Sequence, residues 1–163
     1  QFLNRQDREI QKNKLSVALY QPDIPQNTGS IIRLAACFGF TLHIIEPAGF
    51  VIDDKRLKRV AMDYLEYLEL VRHESWDKFY SWSRSQSKRI ILATTKASQS
   101  YLDIQYQTSD VIVFGRESSG VPDAVHEKSD TRIRIIMQNN IRSFNVSNSC
   151  AIIMSEAIRQ IST

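Results

Sequence analysis

Apolar runs of strand length alternate with segments of helical period along most of this chain, and that alternation leaves few folds open. Residues 15–20, 41–45, 68–72, 89–93, 111–114 and 132–137 read as strands. Val111-Ile112-Val113-Phe114 is apolar throughout, the composition of a strand buried on both faces. Between the strands, residues 28–38, 54–61, 75–85, 121–127 and 147–161 keep helical spacing. Ile31, Leu34, Ala35 and Phe38 fall on one face behind an Asn27 cap. Val146, Cys150, Ile153, Met154, Ala157, Ile158 and Ile161 keep the i, i+3, i+4 rhythm of the last helix. The pattern predicts an α/β fold with a mostly parallel sheet flanked by helices. At 163 residues the chain suits a single domain over 15–163. Residues 1–14 form a polar N-terminal extension, either a loose tail or a helix packed on a partner.

Other classes are disfavoured. No stretch approaches the roughly 20 apolar residues that span a membrane, and residues 1–14 lack the apolar core of a secretory signal, so a cytoplasmic protein with no membrane partner is expected. Cys37 and Cys150 lie far apart in apolar helical patterns and read as buried, reduced thiols. His43, His73 and His126 are scattered without zinc-ligand spacing, so no metal is expected. The formal charge of +3 is mild, and the dense basic group is Lys55, Arg56, Lys58 and Arg59. Taken alone it is a solvated helix face; beside a nucleic-acid site it becomes a phosphate contact.

The chemistry concentrates in loops behind strands. Gly115-Arg116-Glu117-Ser118-Ser119-Gly120-Val121-Pro122 follows the 111–114 run, and Arg142-Ser143-Phe144-Asn145-Val146-Ser147-Asn148 opens the last helix. Small residues, amide side chains and main-chain groups at strand ends are where an open α/β sheet receives a ligand. The first strand is followed not by a Gly-x-Gly-x-x-Gly cradle but by Gln21-Pro22-Asp23-Ile24-Pro25-Gln26-Asn27-Thr28-Gly29, which excludes the common dinucleotide fingerprint. Bland readings stand beside these. Ser143, Asn145 and Ser147 suit helix capping, Gly120 and Pro122 suit a turn, and Tyr64, Trp76 and Trp82 suit core or dimer contact.

Three segments read in order change the balance: Ile24-Pro25-Gln26-Asn27-Thr28-Gly29-Ser30-Ile31-Ile32-Arg33, then Phe114 to Pro122, then Ile135-Ile136-Met137 with Arg142 to Asn148. Together they resemble the three motifs of the SPOUT family of RNA methyltransferases, and within it the tRNA ribose 2′-O-methyltransferases of the wobble-position TrmL type. Leu19-Tyr20-Gln21-Pro22, residues 43–50, Asp53 to Leu57, Asp63-Tyr64 and Thr94-Thr95-Lys96 extend the likeness over about residues 15–161. Two positions depart from the pattern: Ile136 stands where a proline is common, and Ser155 where an aromatic residue is typical.

The resemblance implies a deep C-terminal trefoil knot, which topology rules treat as a rare exception. It implies S-adenosylmethionine as cofactor, leaving as S-adenosylhomocysteine, held by Ala93, Thr94, Gly115, Gly120, Ile135, Met137, Ser143 and Phe144. It places Arg33 at the ribose hydroxyl, first as a stabiliser of developing alkoxide charge and otherwise as a base helped by an RNA phosphate, Asn145 as a group orienting the ribose or the cofactor, and Glu117 as the holder of Arg33 through a charge-assisted fork. Asn27, Lys55, Arg56, Lys58, Arg59 and Arg142 fall to the RNA. The implied partner is tRNA, and the implied assembly a homodimer with the RNA site built across two subunits. Alternatives are methylation at another tRNA or ribosomal RNA position, and a catalytically silent RNA-binding scaffold.

Overall fold

The computed structural model describes residues 15–49, 55–61, 63–138 and 144–162, with the side chains of residues 56, 58 and 60 outside the description. Six strands, β1 Ser16–Tyr20, β2 Thr41–Ile45, β3 Leu70–His73, β4 Ile90–Ala93, β5 Val111–Phe114 and β6 Thr131–Ile133, form one sheet in the order β3-β2-β1-β5-β4-β6. Every pairing is parallel. The helices are α1 Pro25–Phe38, α2 Lys55–Ala61, α3 Trp76–Ser85, α4 Asp123–Lys128 and α5 Val146–Ile161, with a 3₁₀ turn at Leu65–Tyr67.

Both faces of the sheet are covered, which is why central β5 is apolar at every position and its neighbour β1 is buried along its whole length. Val17, Leu19, Leu42, Ile44, Ile112 and Phe114 pack with Ile31, Ile32, Leu57, Cys150, Ile153 and Met154 on the side of α1, α2 and α5. Ala18, Tyr20, Ile45, Leu92 and Val113 pack with Trp76, Phe79 and Val125 on the side of α3 and α4. Burial of a large aliphatic side chain contributes about 1.5–3 kcal/mol, and these two layers are where the fold's stability resides.

β1 and β5 are neighbours, yet the chain leaves β1 toward β2 and leaves β5 toward β6, on the other side of the sheet. Their carboxyl ends therefore diverge and open a crevice, the switch point of a doubly wound sheet.

The structure corrects the sequence reading in places. The strand expected over 132–137 stops at Ile133 because β4, its ladder partner, ends at Ala93; Ile135 and Met137 are half-buried in a crevice wall instead. Asn27 does not cap α1. The helix starts two residues earlier at Pro25, with Ile24 extended before it, because proline is pre-organised for a first helical turn and Asn27 lies inside that turn. Cys150 is buried as expected, but Cys37 is exposed on the outer face of α1. Residues 1–14 and the 139–143 segment on the path to the expected knot lie outside the described residues.

Candidate functional site

The crevice is a cavity of about 750 Å³. It is walled by Asn27 after β1, Ala93 and Thr94 at the end of β4, Gly115, Glu117 and Gly120 after β5, Ile135 and Met137 after β6, and Phe144 and Asn145 at the start of α5. Residues named from separated segments thus converge on one hollow. Ser143 and Arg142 lie outside the described residues, as do the side chains of Arg56 and Lys58. Lys55 and Arg59 are exposed on α2, which packs beside α1.

The loop after β5 is narrow by construction. Arg116 and Gly120 exchange both main-chain hydrogen bonds, each 2.9 Å. A Cβ on Gly115 would lie 2.7 Å from the carbonyl carbon of Gly120, so only glycine allows this closure. Gly120 itself has φ +66°, which an L side chain adopts at a cost, and a Cβ there would meet nothing within 4 Å. The loop therefore presents bare backbone to the cavity.

Its charged residues face the turn after β1. Glu117 is half-buried; its Oε2 accepts from the Asp23 N–H at 3.3 Å and its Oε1 from Asn27 Nδ2 at 3.5 Å. Burial, with Asp23 nearby, pushes the Glu117 carboxyl above its ordinary value. Asp23 is held below the usual carboxylate range by the Glu117 carboxyl, Ser118 and Arg116. Asn145 does cap α5, its Oδ1 accepting from the Asn148 N–H at 2.8 Å, and it lines the cavity as well. Capping fixes its side chain at the cavity edge.

Arg33 does not join them. It is exposed on α1, outside the cavity lining, with its guanidinium 5.4 Å from the centre of the Tyr64 ring. The expected Arg33–Glu117 fork is absent among the described contacts: Arg33 stands over Tyr64, and Glu117 accepts from Asp23 and Asn27 instead. Sequence reasoning missed Asp23, although a carboxylate between Pro22 and Pro25 directly behind a strand was a signal for it. It also gave Tyr64 to core or dimer contact, without its arginine. Among the described residues, no group of three or more His, Cys, Asp or Glu side chains is placed to hold a metal ion, and no helix is long and apolar enough to cross a membrane.

A cavity at the switch point, a self-closed glycine loop and a capped α5 at its rim agree with what comparison with known proteins finds. Residues 14–155 match the SpoU rRNA Methylase family. The chain belongs to this family. A tRNA (cytidine(34)-2′-O)-methyltransferase from Beijerinckia indica is 46% identical over 145 residues, covering 89% of this chain and 91% of the relative. One of the same description from Escherichia coli K12 is 42% identical over 149 residues, covering 90% and 94%. A solved structure presented as structural insights into the 2-OH methylation of C/U34 on tRNA aligns with TM-score 0.85 and 33% identity, covering 91% of this chain and 97% of that one. The SpoU methyltransferase AviRb from Streptomyces viridochromogenes, in complex with AdoMet, aligns with TM-score 0.85 at 23% identity over 96% of this chain and 64% of its own. At that identity the likeness speaks for the SpoU methylase fold.

Proposed function

We propose that this SpoU-family chain catalyses S-adenosylmethionine-dependent 2′-O-methylation of the ribose at the anticodon wobble nucleotide of tRNA, acting as a homodimer in the cytoplasm. The observation that carries the reading is the identity of 42–46% over nearly whole length with relatives described by that activity. Described residues of all three motifs, among them Asn27, Gly115 and Asn145, line one cavity, which supports it.

The cavity suits S-adenosylmethionine. Its volume lies within the roughly 300–1,000 Å³ of small-molecule sites, and it joins apolar walls at Ile135, Met137 and Phe144 to main chain at Gly115 and Gly120 and polar groups at Thr94 and Asn145. When bound, that cofactor supplies a methyl group already activated for transfer. The chain's own work is orientation and charge. Ile135 and Met137 offer an adenine an apolar wall, and the closed 115–120 loop lets backbone approach it. Asn145, fixed by its cap, orients the ribose edge. The 2′-hydroxyl must give up its proton as it attacks, to a phosphate oxygen of the bound RNA, and a guanidinium at the hydroxyl oxygen stabilises the developing alkoxide. Arg33 takes that role, its planar guanidinium offering a fork of N–H donors to the oxygen.

Arg33 lies outside its own chain's cavity, which supports a two-subunit site in which it serves the partner's cavity. Phe38, on the same helix and 41% exposed, is suited to a subunit contact. Lys55, Arg56, Lys58, Arg59 and Arg142 supply tRNA backbone contacts, and Asn27 meets the RNA from the cavity wall.

Labelled methyl transfer from S-adenosylmethionine to unmodified tRNA transcripts, followed by mass-spectrometric mapping, tests the reading. Label at the wobble ribose is the expected outcome. Label at another nucleotide, or S-adenosylmethionine binding absent from folded protein by isothermal titration, would sink it.

A further inference from the structure

We propose that Asp23 is a positioning residue for methyl transfer, clamping the 115–120 loop to the turn after β1 and so fixing the backbone wall on which the cofactor rests. The inference rests on the methyl-transfer reading above. Three consecutive loop residues converge on this one carboxylate residue. Ser118 Oγ donates to Asp23 Oδ2 at 2.5 Å, Arg116 Nη2 stands 3.6 Å from the same oxygen, and the Asp23 N–H donates to Glu117 Oε2 at 3.3 Å.

Asp23 cannot retreat from this grip. The Gly49 N–H donates to Pro22 O at 2.7 Å, and a Cβ on Gly49 would stand only 2.9 Å from the Asp23 Cα. The turn after β2 thus backs the turn after β1, which in turn backs the loop. The loop has little else to hold it, since Ser118, Ser119 and Gly120 are exposed and the Arg116–Gly120 pairing closes it only on itself. An exposed surface ion pair would contribute little, but the Asp23 side chain is only 17% exposed and engages hydroxyl and guanidinium together.

Asp23 Oδ1 and Arg116 Nε are buried without a hydrogen-bond partner among the described residues. Such atoms are uncommon in a finished structural network and concentrate where function constrains geometry. Asp23 stays ionised at neutral pH, held low by Glu117, Ser118 and Arg116, so its bond from Ser118 is charge-assisted.

The test uses the full chain and its Asp23→Ala and Asp23→Asn variants. Four quantities are read: amide hydrogen exchange of the 115–120 loop, the S-adenosylmethionine dissociation constant, the split between kcat and KM, and the thermal midpoint. In Asp23→Ala, loop exchange is expected to quicken about tenfold and the cofactor dissociation constant and KM to rise about tenfold, with kcat changed less than about threefold. The midpoint is expected to hold within about 3 °C. Asp23→Asn, whose amide oxygen still accepts from Ser118, should recover most of the affinity. Wild-type exchange and KM in Asp23→Ala would overturn the clamp while leaving methyl transfer standing. Cooperative unfolding lost in both variants would overturn it in favour of a purely structural role. Wild-type protein that binds no S-adenosylmethionine would overturn the methyl-transfer reading and, with it, the positioning role.

Discussion

Two regions of this molecule bury titratable side chains, and they handle the cost in opposite ways. At the cavity, Glu117 and Asp23 share a loop and a turn, tied by hydrogen bonds to main chain, amide and hydroxyl. On the α3 side of the sheet, His43 Nδ1 and His73 Nε2 stand 2.9 Å apart, stacked on one another and ringed by Phe79 and Trp82. The first region keeps charge beside a hollow. The second buries neutral rings in aromatic packing. Polar groups that serve a site should therefore move turnover or affinity when changed, and polar groups that serve the frame should move stability.

Arg33→Ala is the most severe trial of the site side of that contrast. Loss of a group aimed at developing negative charge should lower kcat about 10²- to 10³-fold, while cofactor affinity stays near wild type because Arg33 is assigned to the ribose hydroxyl and not to the cofactor. Stability should change little, since an exposed guanidinium over Tyr64 contributes on the order of 0.5–1 kcal/mol. Steady-state kinetics beside a denaturant midpoint decide it. A midpoint that falls in step with activity would move Arg33 into the frame.

Gly115→Ala probes the loop rather than the charge. The added methyl would meet backbone of Gly120 at 2.7–2.8 Å, and no side chain can swing aside to make room. Overpacking of this kind costs about 1–3 kcal/mol. Because the neighbouring loop is exposed, that cost should appear as about 10- to 100-fold weaker S-adenosylmethionine binding rather than as unfolding. Isothermal titration beside a thermal melt separates the two; unchanged affinity would mean that the loop's closure is unrelated to the ligand.

Legibility from sequence follows the same division. The sheet could be read because strands covered on both faces must be apolar along their length, as Val111 to Phe114 are. The end of β6 could not: Ile135 and Met137 have strand composition, but the β4 ladder ends at Ala93–Ile133 and only Arg134 finds a further partner, a single bridge to Ser100, a fact of the neighbouring segment and not of this one. The cavity members carried by the three motifs were legible through the ordered resemblance of three segments to one family; taken singly, Asn145 reads as a helix cap and Gly120 as a turn. The Asp23 clamp, the Arg33–Tyr64 stacking and the His43–His73 pair join residues 95, 31 and 30 positions apart or bring them onto neighbouring elements. No local periodicity encodes such pairs, so the expected Arg33–Glu117 fork was a guess at tertiary pairing, and Glu117 pairs with Asp23 and Asn27 instead.

The histidine pair supplies the smallest effect and the clearest sign. Burial, then His73 and Lys88, pull the His43 pKa down to about 3, and burial lowers His73 as well. In the neutral pair one ring nitrogen donates and the other accepts; a second proton would set two donors 2.9 Å apart among aromatic rings. In the unfolded chain His43 titrates near 6.5. Below that value the unfolded state takes up a proton that the folded state refuses, so stability is full above about pH 6.5 and declines toward about pH 3. From His43 alone the loss between pH 7.5 and pH 5 should be about 2 kcal/mol. Glu117 acts with the opposite sign: its folded carboxyl titrates above its ordinary value, so its ionisation costs stability as pH rises, and acidification relieves that cost. Denaturant midpoints at pH 7.5 and pH 5 for wild type and His43→Gln test the pair. The variant is expected to be less stable at pH 7.5 but to show a flatter pH slope. An equal slope in both proteins would show that His43 takes up its proton as readily in the fold as in the unfolded chain, and the distinction between a neutral frame and a charged site would fail at its frame end.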